Sequence, residues 1–165
     1  MRKILNIIIL FSASLMFSSC IFKPINLDNI YSSINKEVFI SSEDIKIKNG
    51  GTFSITEGVG GGAIVINIYN INSKEREMFR VKKITENETF DNKKSKINYT
   101  DFVDEVIYYI KPNENEEYLR EFEHEIIISD VKQGSYILSV TVVMAAKNYP
   151  LEVSKDFETQ FVVIN

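Results

Sequence analysis

The chain holds one histidine and one cysteine, so the side chains that most often carry chemistry are scarce. His124 stands in LREFEHEIIIS, with Glu121, Glu123 and Glu125 around it. A general base needs a nucleophile to serve and a partner that holds its tautomer. Alternate strand residues point to opposite faces, so the three glutamates lie away from the imidazole. Ser and Thr are plentiful, but no strand-turn-helix nucleophile elbow surrounds any of them. A metal site would need more than one imidazole or thiol. His124 therefore reads as a strand residue with ordinary solvation. The glutamates read as an acidic ridge that discourages edge pairing with other chains. No catalytic residue, metal ligand or cofactor is assigned.

Three further stretches could carry chemistry. The run from Gly58 to Gly62, GVGGG, is rich enough in glycine to cradle a phosphate, but Ala63-Ile64-Val65-Ile66 follows. A phosphate loop needs Lys and Ser or Thr there, or a helix N-terminus. The run reads as a flexible connection between strands, with an exposed binding loop around Gly58, Gly60, Gly61 and Gly62 as the alternative. Asn113-Glu114-Asn115-Glu116-Glu117 offers oxygen ligands without the spacing and glycine of a calcium loop, and reads as a solvated turn. The sequons Asn87-Glu88-Thr89 and Asn98-Tyr99-Thr100 matter only on a eukaryotic secretory route. Tyr69, Tyr99, Tyr108, Tyr109, Tyr118 and Tyr149 are a recognition-type residue set, read here as scattered sheet residues.

The only thiol, Cys20, sits in LMFSSCIFKP. Arg2 and Lys3 precede an apolar stretch from Ile4 to Phe17, and small residues follow it. That order marks a secretory signal peptide. The stretch is shorter than the roughly 20 apolar residues that span hydrocarbon. Phe17-Ser18-Ser19-Cys20 resembles the lipobox of bacterial lipoproteins, with Phe17 where that family usually has an aliphatic residue. The resemblance implies cleavage after Ser19, a diacylglycerol on Cys20 and a bilayer as the first partner. Buried acyl chain contributes about 0.8 kcal/mol per CH2, and two chains hold a protein stably where one does not. The expected site is the bacterial cell envelope, facing the periplasm or the exterior.

Without residues 1–19 the chain carries 17 basic and 23 acidic residues, a net charge of −6. A mildly acidic surface excludes nucleic acid as a partner, since phosphates demand a basic face. With no second cysteine there is no intramolecular disulfide, so a hydrophobic core must hold the body. Residues 20–36 read as the lipidated cysteine and a tether. Residues 37–165 suffice for one core.

The elements beyond residue 36 are strands. Val, Ile, Thr, Phe and Tyr gather in short runs between Gly, Asn, Asp and Lys. The predicted strands are 38–41, 44–48, 52–56, 63–71, 77–84, 106–110, 119–129, 136–144 and 156–164. Alternation is clearest late: Tyr136, Leu138, Val140 and Val142 share one face, as do Phe157, Phe161 and Val163. Residues 101–105 also fit helical spacing, and a helical turn is expected there, passing into a strand. The whole predicts an all-β fold, a single antiparallel sandwich after an N-terminal signal helix and short tether.

IIISDVKQGSYILSVTVVM, residues 126–144, resembles the corner between two strands of immunoglobulin-like and fibronectin-type domains. There a tyrosine opens the second strand and its hydroxyl returns to the backbone upstream. The resemblance implies an Ig-like β-sandwich with Tyr136 as the corner residue and Gly134 in a turn that often needs positive φ. Such sandwiches host many activities. The expected role is non-enzymatic: adhesion, envelope assembly or binding of a macromolecule, with a protein or a glycan as partner. The alternative is a module resembling Ig-like protease inhibitors, or one binding a small ligand, through the glycine run.

Overall fold

Period-two alternation produces strands throughout the computed structural model, which describes residues 25–55, 59–85, 90–91, 93–95, 97, 99–112, 119–146 and 152–165. In chain order the strands are β1 (Ile25–Ile34), β2 (Val38–Ile40), β3 (Ile45–Ile55), β4 (Val59–Asn70) and β5 (Phe79–Thr85). Then come β6 (Phe102–Val103), β7 (Glu105–Ile110), β8 (Leu119–Ser129), β9 (Gly134–Ala146) and β10 (Glu152–Ile164). The first sheet has the order β1-β3-β8-β5-β6 and the second β2-β10-β9-β4-β7. The fold is all-β, a sandwich of two five-stranded sheets. Every pair is antiparallel except β2–β10, which is parallel.

The two inner faces supply the core. Ile45, Ile47 and Phe53 of β3 join Phe122, Ile126 and Ile128 of β8. Facing them are Ile64, Ile66 and Ile68 of β4, Leu138, Val140, Val142 and Met144 of β9, and Phe161 and Val163 of β10. Each is buried, and full burial of such a side chain stabilises by about 1.5–3 kcal/mol. Phe39 of β2 meets Phe161 edge-on at 5.9 Å, which fastens the short strand to the core.

The N-terminal segment differs from the expected tether. Residues 25–34 form β1, paired with β3, and the body begins at Ile25 rather than at residue 37. The chain then crosses sheets, and β2 pairs with Val162–Ile164. One stretch of sixteen residues thus serves both sheets. The two strands expected at 44–48 and 52–56 are the single strand β3. The helical turn expected at 101–105 is instead β6, paired with Phe79 and Arg80, followed directly by β7. Two short strands split at Asp104 mimic helical spacing. The signal segment 1–19 and Cys20 lie outside the described residues.

At the corner between β8 and β9, the Tyr136 hydroxyl donates to the Lys132 carbonyl at 2.8 Å. The left-handed residue of the turn is Asp130, at φ 60°, and Gly134 has no positive φ. Gly134 is needed for space instead, because a Cβ there would come within 2.9 Å of Tyr136 Oη. Tyr136→Phe removes the bond and leaves a carbonyl short of a donor. It should lower unfolding free energy by about 1–2 kcal/mol, read from urea midpoints at pH 7 with the far-ultraviolet spectrum unchanged.

Candidate functional site

The sequence dictates different outer surfaces for the two sheets. The central strands of the first sheet carry Lys46 and Lys48 on β3 and Glu121, Glu123 and Glu125 on β8. In register, Lys48 faces Glu125, with Nζ and carboxylate 3.8 Å apart. The acidic ridge therefore points outward, with Glu121 and Glu123 exposed.

Beside that ridge lies a cleft of about 410 Å³, lined in part by Asn29, Tyr31, Thr52, Glu121 and Glu123. It exists because β1 bulges between Asp28 and Tyr31, with Asn29 at φ 51°. The Tyr31 hydroxyl donates to Glu123 at 3.2 Å. Burial, and then the Glu123 charge, push its pKa up. Its ring lies over Gly50, where a Cβ would come within 2.6 Å of the hydroxyl. Sequence reasoning placed Tyr31 in the tether and so missed it; the paired glycines of β3 were the available signal.

The second sheet is the opposite. Its central strands, β4 (VGGGAIVINIYN) and β9 (GSYILSVTVVMAA), carry no charged residue at all. Their outward residues include Val65 and Tyr69 on β4, and Ile137, Ser139 and Thr141 on β9, paired across the ladder. At one corner Val38 lies beside Val162 and Ile40 beside Ile164. These four aliphatic side chains are 37–52 % exposed. Along the outward column of β10 the polarity grades from Glu152, Asp156 and Glu158 through Gln160 to Val162 and Ile164. Asp156 accepts from the Thr141 hydroxyl at 2.7 Å.

The sequence-predicted residues are not gathered in one site. Cys20, Phe17, Ser18, Ser19, Gly58, the 113–117 run, Tyr118 and Tyr149 lie outside the described residues. Gly60, Gly61 and Gly62 stand in β4, not in a loop. Gly61 sits at φ 106° beside a register shift, and a Cβ on Gly62 would strike the Val143 carbonyl at 2.3 Å. These glycines let β4 pass between β9 and β7. Of the tyrosines, Tyr99 is exposed, Tyr69 and Tyr109 are half-buried and Tyr108 is buried, on different elements. Among the described residues no three His, Cys, Asp or Glu side chains gather as a metal site.

His124 is not ordinarily solvated. It is 1 % exposed and faces the core with the same parity as Phe122, Ile126 and Ile128. Tyr108 of β7 packs on it at 4.3 Å and Phe90 at 5.0 Å. Asn49 of β3, directly opposite, sets its amide nitrogen 3.4 Å from Nδ1. If that amide donates, the ring proton is on Nε2, which has no hydrogen-bond partner among the described residues. The imidazole is walled off from any outer surface and packs as part of the core.

No protein-family model matches this chain, and no curated protein matches it. Among solved structures, the cohesin module of a family 33 glycoside hydrolase from Clostridium perfringens ATCC13124 aligns with a TM-score of 0.47 at 11 % identity, over 81 % of this chain and 96 % of its own. BcpA, the major pilin subunit of Bacillus cereus, gives 0.42 at 13 %, over 84 % of this chain and 39 % of its own. AvmM, which catalyses macrocyclization in alchivemycin A biosynthesis, gives 0.40 at 10 %, over 82 % and 89 %. At TM-scores under 0.5 these likenesses carry no argument about function.

Burial lowers the His124 pKa from 6.5 to about 4. The unfolded chain therefore takes up a proton that the folded chain excludes, and stability is lost as pH falls from 6.5 towards 4. The loss is about 2 kcal/mol by pH 5 and levels off below pH 4. Urea midpoints at pH 7 and pH 5 check this. His124→Phe should remove that share of the difference between the two midpoints.

Proposed function

We propose that this chain is a bacterial envelope lipoprotein whose sandwich binds a macromolecular partner without catalysing a reaction. The observation that carries the binding role is the uncharged pair of strands β4 and β9 at the middle of the second sheet, with four exposed aliphatic side chains at the sheet's corner. On a protein of net charge −6 after removal of residues 1–19, two neighbouring strands of 12 and 13 residues without one charge are unusual. Depletion of charge at the centre and polarity at the rim is the pattern of a recognition surface.

The anchoring role rests on the lipobox-like Phe17-Ser18-Ser19-Cys20 and the positive, apolar segment before it. An extended chain covers at most about 3.6 Å per residue, so acylation of Cys20 holds Ile25 within about 18 Å of the lipid. The aliphatic corner lies towards the other end. β1 runs ten residues, about 33 Å, before the chain crosses to β2. A bilayer holding Cys20 thus leaves that corner for another partner, a protein or a glycan of the envelope or of a surface it adheres to.

Metabolic labelling with radioactive palmitate tests the anchor. The native protein should take up label and sediment with membranes. Cys20→Ala should lose the label and leave the membrane fraction. A native protein without label would end the lipoprotein reading.

A further inference from the structure

We propose that the partner on the second sheet is a different protein with a flat, neutral centre and a basic flank, docked face to face over β10, β9 and β4. The proposal rests on the binding role above and adds the chemistry of the partner and the geometry of contact.

Geometry selects the face over the edges. An exposed edge strand offers unpaired backbone groups to an incoming strand. Here β2 is only three residues long, and Glu43 occupies its outward groups at Ile40. The Ile40 N–H donates to the Glu43 carboxylate at 2.7 Å, and the Ile40 carbonyl accepts from the Glu43 N–H at 2.8 Å. At the other edge, the Tyr109 N–H of β7 donates to Ser95 Oγ at 3.2 Å, and the Tyr109 carbonyl accepts from the Asp91 N–H at 2.7 Å. Each outer strand of this sheet is thus partly occupied from within the chain, at Ile40 on β2 and at Tyr109 on β7. The face is open. With strands about 3.3 Å per residue and about 4.8 Å apart, the three strands measure roughly 40 Å by 15 Å, about three quarters of the ~800 Å² that each partner contributes to a stable interface, and the exposed corner on β2 extends them.

Charge selects the partner. The outward column of β10 sets the carboxylates of Glu158 and Asp156 two and three alternate residues, respectively, from the exposed Val162. A matching surface has an apolar group over Val162 and Ile164 and cations about 13–20 Å further along the strand. A second copy does not satisfy this. A two-fold axis presents the same patch twice, so burying the face sets the acidic column of each copy into one interface. Anionic lipid and polyanionic glycans meet the same repulsion.

The test places the photoreactive residue benzoylphenylalanine at Ser139, in the full chain, in membranes of the cells that make it. The same residue at Lys46, on the charged sheet, is the control. Position 139 should give one discrete adduct with another protein, crosslinked at a segment bearing Lys or Arg beside apolar residues. Position 46 should give none. Val162→Lys should cut the adduct at least tenfold. Glu158→Lys should cut it about fivefold at 50 mM salt and less at 500 mM. Unchanged thermal midpoints show that the variants fold. An adduct of twice the chain's mass, equal adducts from both positions, an adduct with lipid or glycan, or indifference to both substitutions would each overturn the proposal. Cys20→Ala separates the two readings. If label and membrane association hold while position 139 gives nothing, only the face proposal fails. If the label is absent while position 139 still reacts, only the anchor fails.

Discussion

Register holds this molecule together. Each strand gives one face to a shared core, and a slip of one residue would turn every buried Ile, Val and Phe outward. The register is pinned at identifiable places. Tyr136 ties the start of β9 to the preceding turn, Phe39 locks β2 onto Phe161, and bulges in β1, β4 and β5 absorb the mismatches that a twisted sandwich imposes. With the inner faces fixed this way, the outer faces are free to differ, and they do. One is laced with lysine and glutamate, and the other is neutral through both of its central strands.

The buried imidazole belongs to the same logic. His124 occupies a core position on β8, opposite Asn49 on β3 and under Tyr108 from the facing sheet. Burial favours the neutral ring, so the position costs nothing in charge near neutrality and becomes a liability in acid. Polar groups at Asn49 and His124 interrupt the apolar inner faces of β3 and β8. They differ from their neighbours in tolerating only certain alignments of β3 against β8, because a slip would bury each beside an aliphatic side chain.

Sequence made much of the second sheet legible. The alternation is unbroken in β9 and holds in the last residues of β10, and the tyrosine near the start of β9 stands out, so both strands and their pairing could be read. The parity of His124 with Phe122, Ile126 and Ile128 was also there to read, and it pointed to burial. β1 was hidden because its bulge shifts the inward parity from Leu27 to Ile30, which erases the period of two. β3 looked like two strands because Asn49-Gly50-Gly51 resembles a turn. In the fold Asn49 faces His124, Gly50 makes room for the Tyr31 ring and Gly51 accommodates Ile30. The glycine run before Ala63 misled for the same reason, since close passage between neighbours and a loop call for the same residue. The neutral face could not be seen from single strands, because it appears only when β4 and β9 are placed side by side.

The division of residues 25–40 between two sheets has a mechanical meaning. β1 runs antiparallel along β3 over most of its length, and β2 runs parallel to the end of β10. A pull on the chain ahead of Ile25, resisted at the far corner, acts along the strand axes. The hydrogen bonds of the β1–β3 ladder then bear the tension together, in shear, instead of parting one after another like a zipper. A body suspended from its leading end and gripped at its far corner is loaded in its strongest direction.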